Sequence, residues 1–144
     1  AIHSWINNTY VGGFTFGILV FIVIMAPRYY DGYLFSKNYS LVLGNARNQE
    51  SKSKGYYLAY DFKCPLNGQQ CFGKRDGSYS SNNFNKEYWV AYSNCNPIMN
   101  AIFFDVPTDI SVDSALQLIT PKKVRKSYAH NVVKVLFDRD KYCP

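Results

Sequence analysis

The residues in this chain best equipped for chemistry are its four cysteines, Cys64, Cys71, Cys95 and Cys143. Four thiols allow three pairings, and local geometry favours one of them. Asn67-Gly68 lies between the first two cysteines, and Asn-Gly is the strongest short signal for a type I′ hairpin. A two-residue turn there sets Cys64 opposite Cys71, with Cα atoms about 5.5 Å apart, within the range a disulfide spans. Cys95 and Cys143 then pair by elimination, a closure worth about 2–4 kcal/mol. Free buried thiols and metal or redox chemistry are the alternatives. The chain has no C-x-x-C and only two histidines, His3 and His130, which speaks against zinc and against a thioredoxin-type pair. Disulfides would place the domain in an oxidising compartment.

Other catalytic patterns are missing from the sequence. There is no Gly-x-Ser-x-Gly elbow, and the glycines are dispersed in turns rather than gathered into a phosphate loop. Asp105, Asp109 and Asp113 recur at spacing four but across Pro107, which suits solvated turn and cap residues. The expectation is therefore a protein that is not an enzyme, with no catalytic residue, cofactor or metal.

Two patterns suit binding instead. Lys122, Lys123, Arg125 and Lys126 form a basic run after Pro121, suited to anionic headgroups or an acidic partner; the plainer reading is an exposed basic turn. Tyr57, Trp89 and Tyr92 offer an aromatic platform for a glycan, peptide or lipid, and core packing is their plainer role. The net charge of +6 comes from 16 Lys and Arg against 10 Asp and Glu, all after residue 27. That excess is too small and scattered for nucleic acid.

The elements that carry these residues divide into an anchor and a domain. No charged side chain precedes Arg28, and Tyr10 to Ala26 is apolar around its circumference, the pattern of a transmembrane helix at the short end of the usual length. Trp5 and Tyr10 on one side, and Tyr29, Tyr30 and Tyr33 on the other, fit interfacial belts. A positive n-region and a small-residue cleavage site, the marks of a cleaved signal peptide, are both missing. Gly13 and Gly17 stand four apart, a face on which a second helix packs. The expected division is residues 1–30 as anchor and 31–144 as domain. Arg28 and Lys37 after the span favour a cytoplasmic domain, whereas the cysteines favour the opposite side. The expectation follows the cysteines: a single-pass protein of a bacterial inner membrane with its C-terminal domain outside the cytoplasm.

That domain reads as mainly β, an antiparallel sheet or partial barrel with a less defined C-terminal extension. Tyr56, Leu58, Tyr60 and Phe62 alternate with Tyr57, Ala59, Asp61 and Lys63, a strand with one buried face. Shorter strands are expected at Leu41–Gly44, Cys71–Lys74, Tyr88–Tyr92 and Ala101–Val106. Asn45 to Gly55 reads as polar and charged, with Gln49 to Gly55 as a surface loop, Val112 to Ile119 as a short helix opening near Ser111 or Asp113, and Val132 to Phe137 as helix or strand.

Tyr57-Leu-Ala-Tyr-Asp-Phe62, Asn67-Gly68, Gly73, and Tyr88-Trp-Val-Ala-Tyr92 with Asn96-Pro97 resemble an uncharacterised bacterial domain family of small membrane-anchored β-rich proteins. The resemblance covers about residues 41–106. Cys64, Cys71 and Cys95 are not part of its pattern, and it implies no catalytic residue. Composition, anchor and resemblance together lead to the expectation of an accessory or structural subunit whose partners are the membrane and other membrane-protein subunits, not nucleic acid. The alternative is a membrane-anchored binding module for an envelope ligand.

Overall fold

The structure, a computed structural model, describes residues 15–20, 22, 30–65 and 68–132. The chain divides into two compact units, Ala1–Asp31 and Gly32–Pro144.

In the first unit, residues 15–20 and 22 are helical and exposed. No helix among the described residues is long and apolar enough to cross a membrane. This corrects the expected transmembrane anchor, and with it the single-pass placement in a bacterial inner membrane. Physically, a span needs about 20 consecutive apolar residues, and the uncharged run from Tyr10 to Ala26 has 17. Most of the stretch from Tyr10 to Ala26 lies outside the described residues, as does Gly13. Gly17 faces open space, with nothing within 4 Å of where a Cβ would stand.

The second unit is the expected small mainly-β domain. Five strands, β1 (Tyr39–Lys52), β2 (Gly55–Lys63), β3 (Gln70–Asp76), β4 (Lys86–Ser93) and β5 (Asn100–Phe103), form one sheet in the order β3-β2-β1-β4-β5. Every neighbouring pair is antiparallel. The curl of this sheet originates in β1, which changes partners along its length. Residues 39–46 pair with β4 and residues 45–52 with β2, with a register shift between Ala46 and Asn48. A bulge of this kind bends a strand and lets it pass from one sheet layer to another. Asn45 to Lys52, expected as a polar stretch with a loop from Gln49, is thus the second half of the central strand. Only Ala46 in that stretch is buried, so period-2 patterning is missing. Gly44 lies where the two halves meet: a Cβ there would come 2.7 Å from the Asp61 carbonyl and 2.8 Å from Val90.

The concave face buries Leu58, Tyr60, Phe62, Val90 and Ile102. The convex face, on β1, β4 and β5, buries Leu41, Trp89 and Phe103 against two helices, α1 (Val112–Leu118) and α2 (Pro121–Tyr128). Ser111 caps α1, its hydroxyl accepting from the Ser114 amide. Thr120 caps α2, accepting from the Lys123 amide, with Pro121 at the first helical position, where its missing N–H costs nothing. The basic run is therefore a helix rather than a turn.

The β2–β3 hairpin has a wider loop than expected. Phe62 pairs with Cys71 and Lys63 with Gln70. The Cys64 amide donates to the Gln69 carbonyl at 2.9 Å, and the Gly68 amide donates to the Cys64 carbonyl at 2.8 Å. Cys64 and Gln69 thus close a four-residue loop, and the register moves by two from that of a two-residue turn. Cys71 lies diagonal to Cys64 instead of opposite it, and both are free thiols. The expected Cys64–Cys71 disulfide is corrected accordingly. Cys95 is not a free thiol, and Cys143 lies outside the described residues.

Candidate functional site

The curl brings β3 towards β5 without joining their ladders, and polar side chains bridge the seam. Asn100, fully buried at the start of β5, accepts the Tyr60 hydroxyl at its Oδ1. Its Nδ2 donates to the Phe72 carbonyl on β3 at 3.2 Å. Gly73 allows this approach, because a Cβ would overlap both the Tyr60 ring and the Asn100 side chain. Burial pushes the Tyr60 hydroxyl well above its ordinary pKa, so it remains a donor. Beyond β5 the chain returns at residues 130–132. The Asp76 amide donates to the His130 carbonyl, the Val132 amide to the Lys74 carbonyl, and Arg75 and Asn131 form an isolated bridge.

At the open end of this seam, under α2, is a hollow of about 340 Å³. Arg75 reaches it from β3; Ile102, Phe103, Phe104 and Asp105 form the end of β5 and the residues after it; Lys123, Lys126, Ser127 and His130 come from α2 and the turn that follows. The spacing 123, 126, 127, 130 is one face of a helix, so these side chains follow from helical periodicity once α2 forms. Arg75 is fixed: its Nη1 donates to the Ser127 hydroxyl at 2.7 Å and to the Ile102 carbonyl at 3.1 Å. Its guanidinium also lies 5.5 Å from the centre of the Phe104 ring, a cation–π distance. Ser127 in turn donates to the Ile102 carbonyl at 3.0 Å. Lys123 Nζ meets Asp105 Oδ2 at 2.7 Å at the exposed rim. That hydrogen bond holds the Asp105 carboxyl below the ordinary carboxylate range, with Arg75 adding to the effect.

The hollow thus gathers Arg75, Lys123, Lys126 and His130 around one carboxylate, with the half-buried Phe104 beside them. This arrangement suits an anion. Ser127 is engaged on both sides, by Arg75 and by Ile102, and is not set up as a nucleophile. Among the described residues, no group of three or more His, Cys, Asp or Glu side chains is placed to hold a metal ion.

The basic run is split by its helix. Lys123 and Lys126 face the hollow, Lys122 is exposed away from it, and Arg125 donates to the Ser36 hydroxyl at 3.1 Å on another side. The aromatic trio does not share a surface. Trp89 is buried on the convex face, its indole N–H donating to the Pro107 carbonyl at 2.8 Å. Tyr92 is buried on the concave face, stacked on Phe62. Tyr57 is half-buried with Lys74 Nζ 4.7 Å above its ring. Arg75 carries no signal in the sequence: its position in a strand two residues past Gly73 gives no sign that it closes a seam.

The fold and the seam define a small mainly-β domain with a curled antiparallel sheet and a basic hollow under one helix. Comparison with protein-family models, curated proteins and solved structures finds no match for the chain.

Proposed function

We propose that this domain is a non-catalytic binding module that takes an acidic group in the hollow between β3, the end of β5 and α2. The observation that carries this reading is the convergence of Arg75, Lys123 and Lys126 on a hollow of about 340 Å³ with Asp105 as its one carboxylate. That volume lies within the range of small-ligand sites, about 300–1,000 Å³. The fixing of Arg75 by two hydrogen bonds supports it further, since a donor already ordered loses little freedom on binding.

The test is titration of the full chain with citrate, followed by backbone amide shifts. The reading expects Lys123, Lys126, Ser127 and His130 to respond together, and the response to fade as salt rises towards about 1 M, where screening acts within about 3 Å. Shifts scattered over unrelated lysines such as Lys54 and Lys86 would end it.

A second reading, an accessory subunit that docks on another protein chain, is supported by the exposed side chains of Phe72 and Leu43 on the convex face of the sheet. Copurification with a partner that is lost on Phe72→Ser would favour it over the anion site.

A further inference from the structure

We propose that the acidic group is a phosphoryl group, carried as a phosphate monoester whose organic part lies against Phe104. This deepens the binding reading above and rests on it.

Charge makes the first argument. Arg75, Lys123 and Lys126 against Asp105 leave two positive charges in the hollow. A phosphate monoester carries about −1.5 to −2 near neutral pH, whereas a single carboxylate carries one negative charge and leaves the hollow half-compensated. Geometry makes the second. Arg75 is held through Nη1, and among the described residues its Nε and Nη2 make no hydrogen bond. A planar guanidinium held in this way offers a fork that matches phosphate oxygens. Lys126 is exposed one helical turn from Lys123 and has no ion-pair partner among the described residues. It supplies a point charge to a second oxygen. The third argument is the wall: the half-buried Phe104 ring borders the same space beside Arg75, and inorganic phosphate alone would leave that apolar surface uncovered.

A phosphate monoester can be a small soluble molecule or the headgroup of a lipid such as phosphatidic acid. The shared chemistry is the proposal, and the test separates the sources. Full-length protein is titrated with phenyl phosphate, inorganic phosphate and benzoate, and its sedimentation is followed with phosphatidylcholine vesicles with and without phosphatidic acid. Phenyl phosphate is expected to bind tightest, inorganic phosphate next, and benzoate at least about tenfold more weakly than phenyl phosphate, as expected when a second charge-assisted contact is lost. Lys126→Ala should weaken phenyl phosphate about fivefold to tenfold, while Lys122→Ala, outside the hollow, leaves it unchanged. Both lysines are exposed on α2, so neither substitution threatens folding. Vesicle binding that needs both phosphatidic acid and Lys126 assigns the lipid source; phenyl phosphate binding without it assigns a soluble ester. Benzoate binding as tightly as phenyl phosphate, or indifference to Lys126→Ala, overturns the phosphoryl assignment and leaves a general acidic site. No response to any of these anions, or to citrate, overturns the binding reading as well.

Discussion

Arg75 and Ser127 are 52 residues apart in sequence and 2.7 Å apart in the fold, guanidinium to hydroxyl. The same Arg75 nitrogen and the Ser127 hydroxyl both end on the Ile102 carbonyl. One triangle of hydrogen bonds therefore fastens β3, the end of β5 and α2, and also fixes the cation at the floor of the hollow. Ser127→Ala should destabilise the domain by about 1–2 kcal/mol, the cost of leaving polar partners short of a buried hydrogen bond. It should also weaken anion binding by freeing Arg75. Denaturant unfolding and phosphate titration on the same variant check both; unchanged stability would show that the triangle does not fasten the seam.

Gly73 is the position where closure is most sensitive to volume. A methyl group there would overlap the Tyr60 ring and the Asn100 side chain, both buried. Gly73→Ala is expected to cost about 3 kcal/mol through overpacking. Gly68→Ala is the contrast: a Cβ there meets nothing within 4 Å, and its cost comes only from a positive φ of 67°. Equal unfolding midpoints for the two variants would contradict this account of the seam.

These positions show what the sequence could convey. The β2 alternation is legible because Leu58, Tyr60 and Phe62 are buried on one face, although Tyr56 at its start is exposed and Asp61 on the other face is buried as well. Ser111 before Val112 marks α1 by its capping chemistry. The second half of β1 is not legible, because Asn45 to Lys52 buries only Ala46 and its hydrogen bonds are satisfied by two different partners. The start of α2 was present in Thr120-Pro121, a cap followed by a proline at the first turn, but the charges after it read as a turn. The hairpin register failed for a local reason: Asn-Gly fixes a register only when the turn has two residues, and here the Cys64 and Gln69 backbones close around four. The hollow itself was half visible. Lys123 and Lys126 stood in the basic run, whereas Arg75 and His130 join them only through the curl of the sheet.

Under the proposed binding reading, Asp105 at the rim is an internal competitor for the anion, because it already pairs with Lys123. Its carboxyl is held below the ordinary 3.8 by the Lys123 hydrogen bond. A carboxyl with a depressed folded pKa stabilises the fold above the unfolded pKa, and that contribution is lost as pH falls through the folded value. The side chain of Asp105 is 67% exposed, so the pair is worth at most about 0.5 kcal/mol. Asp105→Asn should thus barely change stability at neutral pH, and the small difference from the parent should vanish in acid, where the parent carboxyl is protonated. Affinity for phenyl phosphate should rise a few-fold, because Lys123 is released and a negative charge leaves the rim. Weaker binding by this variant would show that Asp105 positions Lys123 for the ligand instead of competing with it.

The two free thiols make the hairpin register directly measurable. Cys64 is buried and Cys71 half-buried. Burial pushes the Cys71 thiol above its ordinary 9.0, and the neighbouring Cys64 thiol, which shares a hydrogen bond with it, pushes in the same direction. Alkylation needs the thiolate, so a raised pKa slows the reaction at neutral pH and moves its rise to more alkaline pH. In the folded protein, iodoacetamide followed by peptide mapping should modify Cys71 slowly and before Cys64, with a rate still climbing above about pH 9, where an ordinary thiol is already half ionised. Cys64 should be modified only on unfolding. Cys64→Ala removes one of the two causes that raise the Cys71 pKa, and so should shift the Cys71 rate profile towards lower pH. If neither thiol reacts without prior reduction, the two sulfurs face each other in a covalent pair and the four-residue loop is wrong; if Cys64 reacts first, the diagonal placement is wrong.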